Sequence, residues 1–292
     1  MKRNIGKMAI FCLLIALAFA DRGMIPVNPN AQIFEPNQRA MIAWNGAEEI
    51  LLLSTDLHAS DSTMVIEVLP LPSEPEVKKG DLETFRKATD LINRRLYAGS
   101  TAKGRTLSEG VIVPSGEVTF HKRIGAHDIS VTHLLDAQGF VDWVVEYLAK
   151  LGVEENIISS EMRELIEDYM GDDFDWFVFD VVSLSQEIVT NEPIQYRFKT
   201  DRLFFPLKIT RTGKGLTSVE LLILTPRLLN RFPGIPIGGI GLKHDPITIS
   251  REELRELNSD MFEIMHDHEK MRLRIWQIEG SLSSFDSDLI AY

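Results

Sequence analysis

WFVFDVVSL, residues 176–184, is the segment that most constrains the architecture of this chain. Apolar residues, most of them aromatic or β-branched, occupy both its odd and its even positions, and such residues favour strands. Because successive side chains of a strand point to opposite faces, this strand has no face suited to water. The stretch therefore predicts a central strand that is covered on both faces.

One residue interrupts this apolar strand. By alternation, Asp180 shares a face with Trp176, Val178 and Val182. A buried carboxylate needs a cation, hydrogen-bond donors or a proton. The sequence therefore predicts that Asp180 is buried and compensated, either as half of a structural ion pair or as a functional acid.

Helix signals flank the strand on both sides. Asp81, Asp136, Ser160 and Ser250 each precede apolar residues at helical spacing, which predicts four helices. The last of these begins with the capping box Ser250-x-x-Glu253 and carries apolar residues as far as position 264 or 265.

Turn signals connect the remaining apolar stretches. Asn45-Gly46, Gly125 and residues 212–215 (TGKG) each separate two stretches of strand character and predict three hairpins. The proline-rich residues 70–75 are predicted to end the strand that begins at Met64. Strands and helices in separate blocks indicate an α+β fold with a mainly antiparallel or mixed β-sheet, with hairpins, covered by about four helices.

The first twenty residues resemble an export signal. Lys2, Arg3 and Lys7 supply a positive start, a short apolar stretch follows, and Ala18-Phe19-Ala20 matches a cleavage site. We predict a signal peptide at residues 1–20 and a mature chain, from Asp21 to residue 292, that is secreted to the periplasm or the cell surface; the competing interpretation is an uncleaved N-terminal anchor. The mature chain is predicted to form a single α+β domain. A division of this domain into two lobes would place the hinge near residues 99–110.

Composition excludes several classes of function. The single cysteine lies inside the signal, so the mature chain is predicted to form no disulfide and to bind no metal through thiolates. Removing the three basic residues of the signal moves the net charge from −12 to −15. Such a field repels nucleic acid and anionic lipid. No later stretch is long and apolar enough to form a transmembrane segment.

Four residues form the best metal-like group in the sequence. His266, His268 and Glu269 lie close together, and His244 precedes them. Imidazole and carboxylate groups suit zinc or another divalent ion. Residues two apart on a helix point away from each other, however, so the competing interpretation is a helix end where histidine complements the dipole. On that interpretation the protein needs no cofactor.

Residues 233–241 (PGIPIGGIG) form an apolar loop whose spacing fits neither a phosphate loop nor a dinucleotide fingerprint. Its apolar side chains are suited either to a partner or to the core of the protein itself.

Three blocks of the chain resemble a known family. They are residues 68–77 (VLPLPSEPEV), the run of elements from 129 to 182, and residues 198–207 (FKTDRLFFPL). Together they resemble the exported, uncharacterised family called domain of unknown function 2330, from about residue 30 to about residue 225. A Cys-Gly pair that is common at the mature start of that family is absent here. The resemblance implies export and an α+β fold and assigns no activity.

No complete catalytic motif is present, which favours a non-enzymatic module that binds an envelope or extracellular protein or another ligand. The alternative is a metal-dependent envelope hydrolase that uses His266, His268 and Glu269.

Overall fold

The computed structural model describes residues 22–28, 30–96, 121–153, 157–190, 192–213, 216–235 and 239–292. The predicted signal and the predicted hinge near 99–110 lie outside these residues, and the division of the chain into domains stays a prediction. The helices are α1 (Leu82–Leu96), α2 (Ala137–Lys150), α3 (Ser160–Gly171), α4 (Arg251–Leu257) and α5 (Ser259–Ile264). The strands are β1 (Gly23–Pro26), β2 (Ile33–Trp44), β3 (Glu48–Ala59), β4 (Thr63–Leu71), β5 (Glu76–Lys79), β6 (His121–Ile124), β7 (His127–His133), β8 (Trp176–Leu184), β9 (Val189–Thr190), β10 (Ile194–Lys199), β11 (Leu203–Phe205), β12 (Leu216–Thr225), β13 (Ile240–Leu242), β14 (Ile247–Ser250), β15 (Lys270–Ser281) and β16 (Leu289–Ala291).

The strands form two large sheets and one small pair. The five-stranded sheet has the order β1-β4-β8-β7-β6 and is antiparallel throughout. The nine-stranded sheet has the order β13-β15-β12-β2-β3-β10-β5, with β14 beside β15 and β9 beside β3. Its β12–β2 pair is parallel, so this sheet is mixed, and β11 pairs with β16 separately. The predicted α+β class with mainly antiparallel sheets is confirmed.

The elements pack in four layers. Helices α2 and α3 bury their apolar faces on the five-stranded sheet, where the ring of Phe140 stacks on that of Phe179 and Leu165 joins the same apolar cluster. The other face of that sheet packs on the nine-stranded sheet, where Val178 meets Leu51 and Leu53 in one apolar cluster. Helices α1, α4 and α5 cover the outer face of the nine-stranded sheet. Each sheet is thus covered on both faces, which accounts for its largely apolar strands.

Strand β8 is the central strand that its sequence predicts. It lies third of five, between β4 and β7, and all its residues except Trp176 and Ser183 are buried. Phe177 and Phe179 point to the helices, whereas Val178 and Val182 point to the other sheet. The two-sided cover predicted for residues 176–184 is therefore confirmed.

Two of the three predicted hairpins are also confirmed. Asn45 and Gly46 turn β2 into β3, and Gly46 has a φ of 105°, a conformation that glycine adopts without strain. Gly125, with a φ of 57°, turns β6 into β7.

The predicted hairpin at residues 212–215 is wrong. Strand β11 pairs with β16, and residues 208–212 form a short 3-10 helix before β12 begins at Leu216. The backbone N–H groups of Leu207 and Lys208 both donate to the Asp288 carboxylate at 2.8 Å, which bends the chain away from a strand path.

Two predicted boundaries also change. The helix that begins at the Ser250 capping box ends at Leu257, because the side chain of Asn258 accepts from the N–H groups of Asp260 and Met261 and caps a second helix. Pro70 continues β4 opposite Phe177. Its missing N–H is tolerated because β1, on the other side of β4, reaches only as far as Val68.

Candidate functional site

Asp180 lies within a row of four charged residues that crosses the five-stranded sheet. Glu67 on β4 is directly opposite Asp180 on β8. Arg22, just before β1, and His127, the first residue of β7, flank these two carboxylates. In strand order the signs are plus, minus, minus, plus, and we call these four residues the charge row.

The contacts within the charge row are direct. The Arg22 guanidinium contacts the Glu67 carboxylate, and its Nη1 lies 3.7 Å from Asp180 Oδ2. His127 Nδ1 lies 2.6 Å from Asp180 Oδ2, and its Nε2 lies 3.1 Å from the carbonyl oxygen of Glu192. An acceptor at each ring nitrogen suits the imidazolium form, in which both nitrogens donate.

The charge row is sealed from solvent. Arg22, Glu67 and Asp180 are 3%, 1% and 2% exposed, and His127 is 2% exposed. Burial lowers the pKa of His127, but the hydrogen bond that its ring donates to Asp180 and the charges of Asp180 and Glu67 outweigh it, so the pKa of this imidazole is raised. With His127 as the imidazolium, two cations balance two carboxylates inside the protein, as buried charges require.

The charge row separates two apolar parts of the core between the sheets. Glu67 lies between Val65 and Leu69 along its strand, and Asp180 lies between Val178 and Val182. Leu69 and Val178 belong to one apolar cluster, and Val65 and Val182 belong to another. Apolar side chains thus enclose the row along the strands.

Glu67, His127 and Asp180 also have the spacing of a metal site. Their possible ligand atoms lie within 4.8 Å of one another, and imidazole with two carboxylates suits a divalent ion. The Arg22 guanidinium, however, already contacts Glu67 and lies within 4 Å of Asp180. Since a second cation would repel this guanidinium, the geometry favours an ion network over a metal centre.

The structure does not bring His244, His266, His268 and Glu269 together as ligands. Among the described residues, the group whose ligand atoms all lie within 4.8 Å of one another consists of Glu67, His127 and Asp180. His266 is exposed, with Nδ1 2.7 Å from the carbonyl oxygen of Glu263 at the end of α5. His244 Nδ1 lies 2.6 Å from the Asp245 carbonyl, and its Nε2 accepts from the N–H of Ile275 at 3.2 Å. His268 is half-buried, and Glu269 is exposed beside the start of β15.

A second candidate site is an open cleft beside the loop that follows β12. Its volume is about 750 Å³. Its lining consists of Leu228, Leu229, Asn230, Arg231, Phe232, Pro233 and Tyr292. We call it the 228–233 cleft; it lies just before the predicted apolar loop at 233–241, of which residues 236–238 are outside the described part of the chain.

Strand β15 holds this loop in place. Arg274 Nη1 donates to Asn230 Oδ1 at 2.8 Å and to the Leu229 carbonyl at 3.4 Å. The rings of Phe232 and Trp276 meet edge to face, with centroids 5.0 Å apart. Leu229 is buried in the core between the sheets. The cleft is thus tied to a strand of the larger sheet by side chains.

Sequence reasoning missed three members of the charge row. Glu67 carries the same signal as Asp180, since it is a lone charge in an apolar strand. Arg22 and His127 carry no such signal, because they stand at the polar ends of their strands. The lining of the 228–233 cleft was missed in the same way, because only the fold places Tyr292 near Phe232.

The chain belongs to a family described as an uncharacterized protein conserved in bacteria (DUF2330), whose model matches residues 17–231. The family predicted from three blocks of sequence is therefore confirmed. No curated protein sequence matches the chain.

Among solved structures, the chain is similar to baculovirus P35, with 9% identity over 91% of this chain and 98% of that chain and a TM-score of 0.45. A mutated baculovirus P35 after caspase cleavage gives 8% identity over 87% and 96% of the two chains, with a TM-score of 0.40. P35 in the caspase-8/P35 complex gives 9% identity over 87% and 95%, with a TM-score of 0.37. At these scores the likeness carries no argument about function.

In the part of the chain that the structure describes, no helix is long and apolar enough to cross a membrane.

Proposed function

We propose that this protein is an exported, non-enzymatic binding module of the cell envelope, and that it binds through the 228–233 cleft. The observation that carries the proposal is the difference in access between the two candidate sites. The charge row is buried, whereas the cleft is open and has Leu228 and Tyr292 at 38% and 65% exposure. Export itself rests on the basic start and the Ala18-Phe19-Ala20 site of the sequence.

Burial of the charge row supports a non-enzymatic role. A general acid or base has to come within hydrogen-bond distance of its substrate. Asp180 and His127 instead hydrogen-bond each other at 2.6 Å, with neither more than 2% exposed. The alternative of a metal-dependent hydrolase finds no support in the placement of His266, His268 and Glu269, which form no ligand group with one another.

The cleft has the character of a binding site. Its volume of about 750 Å³ falls in the usual range for small-ligand pockets. Apolar side chains dominate the lining, with Asn230 and Arg231 as the polar members.

Export is tested by fractionating native cells and sequencing the N-terminus of the protein. The expected product starts at Asp21 and is found outside the cytoplasm. Intact protein that starts at Met1 in the cytoplasm would disprove export.

Binding through the cleft is tested with a charged residue in its lining. Leu228→Asp should reduce the amount of protein that sediments with the envelope fraction, because a carboxylate disrupts the apolar contact. Leu135→Asp is the matched control, since Leu135 is 85% exposed and does not line the cleft. Equal sedimentation of both variants would rule out the cleft as the site of association.

A further inference from the structure

We propose that the ligand of the 228–233 cleft is a small amphipathic carboxylate, an apolar chain or ring that carries a single negative charge. This inference rests on the proposed function, because it assigns a ligand chemistry to the same cleft. Arg231 pairs with the carboxylate, and the apolar body lies against Leu228, Phe232 and Pro233.

Arg231 supplies the first observation. Its side chain is exposed and lines the cleft. Among the residues with described positions, no carboxylate lies within ion-pair distance of it. A guanidinium presents a planar fork of donors that matches the two oxygens of a carboxylate. Arg231 is therefore a cation available to an anion in the cleft.

Arg274 supplies a second cation behind the first. Its guanidinium is half-buried, donates to Asn230 of the cleft lining at 2.8 Å, and lies 5.6 Å from the centre of the Trp276 ring. Burial lowers the pKa of Arg274, although the charge of Asp245 opposes this effect. A partly desolvated cation without a paired carboxylate among the described residues is stabilised by an anion nearby.

The remainder of the lining selects for an apolar body. The apolar part of the lining consists of Leu228, Leu229, Phe232, Pro233 and Tyr292. The edge-to-face contact with Trp276 fixes the ring of Phe232. A purely polar anion would leave this surface in water, whereas an apolar body of small-molecule size removes it from water.

The charge of the whole chain limits the charge of the ligand. The net charge is −12, so a polyanion such as nucleic acid or an anionic membrane is repelled at long range. A single carboxylate feels this field weakly at physiological ionic strength and is attracted at short range by the two arginines. The cleft therefore favours a small, singly charged ligand.

Calorimetric titration of the purified protein with sodium octanoate tests the proposal. We expect saturable binding with one octanoate per chain. Octanamide, which has the same apolar body without the charge, and acetate, which has the charge without the body, should each bind at least about tenfold more weakly. Arg231→Gln should weaken octanoate binding by about tenfold. Arg94→Gln, at an exposed arginine of α1, should leave it unchanged.

The outcomes separate this inference from the proposed function. Equal binding of octanoate and octanamide, or of the parent and Arg231→Gln, would overturn the carboxylate assignment, as would no binding of octanoate. If octanoate fails while Leu228→Asp still reduces envelope association, the binding module stands and the ligand class is wrong. Binding of the protein to phosphatidylglycerol vesicles that Arg231→Gln abolishes would instead assign the cleft to a membrane surface and overturn the small ligand.

Discussion

The charge row and the 228–233 cleft place arginines in opposite situations. In the charge row, Arg22 meets two carboxylates that are each no more than 2% exposed, and His127 completes the balance. Arg231 lines the cleft and Arg274 lies behind it, and neither forms an ion pair with a described carboxylate, although the charge of Asp245 acts on Arg274. A charge that is paired inside the fold therefore indicates a structural role, whereas an unpaired charge beside open apolar surface indicates recognition.

The positions of the two regions in the fold explain the difference. The charge row lies between two sheets, where desolvation costs several kcal/mol for each unpaired ion and every charge needs a partner. The cleft lies at a loop beside the larger sheet, where water satisfies a guanidinium until a ligand replaces it.

Breaking the charge row should have the largest effect on stability. Asp180→Asn keeps the shape of the side chain but leaves the cations with one carboxylate fewer, and we expect a loss of about 3–5 kcal/mol in the free energy of unfolding. Urea denaturation measures it. Asp175→Asn is the control, because Asp175 pairs with His133 at the surface at 47% exposure and should cost about 1 kcal/mol or less. Equal losses in both variants would contradict the view of the row as a buried network.

Glu49, a buried acid without an ion pair among the described residues, should show how much stability is lost when a carboxylate is buried without a cation. Burial raises the pKa of Glu49 well above its usual value, although the N–H of Phe204 donates to its carboxylate at 2.9 Å and opposes the shift. A raised folded pKa means that stability is present below about pH 4.5 and is lost as pH rises through the folded pKa.

Glu49→Gln mimics the protonated acid and removes this loss. We expect the variant to match the parent near pH 4 and to exceed it by about 1 kcal/mol or more at pH 7. Urea denaturation at the two pH values measures the difference. A variant that is less stable than the parent at pH 7 would show that the Glu49 carboxylate is compensated by a route other than the Phe204 N–H.

The histidine of the charge row should make stability depend on pH. The folded pKa of His127 is raised, so its contribution is complete below about pH 6.5 and is lost as pH rises through the folded pKa. Burial also raises the pKa of Asp288, to about 6, which adds a pH dependence of its own at lower pH. We therefore compare the parent with His127→Gln by urea denaturation from pH 6 to pH 9. The parent should lose stability relative to the variant across this window, and parallel curves would refute a protonated His127.

The cleft should show the smallest effect on stability. Arg231→Gln removes an exposed charge without a described ion pair, so the free energy of unfolding should change by no more than about 0.5 kcal/mol. Thermal melting of this variant checks the expectation. A large loss would mean that Arg231 stabilises the fold, and the contrast with the charge row would disappear.

Several elements could be predicted because their signals are local. The alternation of Trp176–Leu184 predicted a central strand, and Asp136 caps α2 through the N–H of Gly139 as its position indicated. The burial of Asp180 followed from the same alternation. Each of these signals lies within a few residues of the element that it describes.

Other elements could not be predicted, because distant residues decide them. The hairpin expected at residues 212–215 does not form, because the backbone N–H of Lys208 donates to the carboxylate of Asp288, which lies 80 positions further along the chain. His266 and His268 stand two positions apart in sequence and do not belong to the ligand group found among the described residues, whereas Glu67 and His127 approach each other from separate strands.

Four features could be inferred without the structure: the class of fold, the family, the two-sided strand β8 and the need of Asp180 for compensation. The folded structure was needed to identify the residues that compensate Asp180 and the arginines that, among the described residues, have no carboxylate partner. His127 reaches Asp180 across 53 residues, and Arg22 reaches Glu67 across 45. The physical reason is that alternation and capping act between neighbours in sequence, whereas charge pairing inside the core depends on strand order and register, which the packing of the whole chain sets.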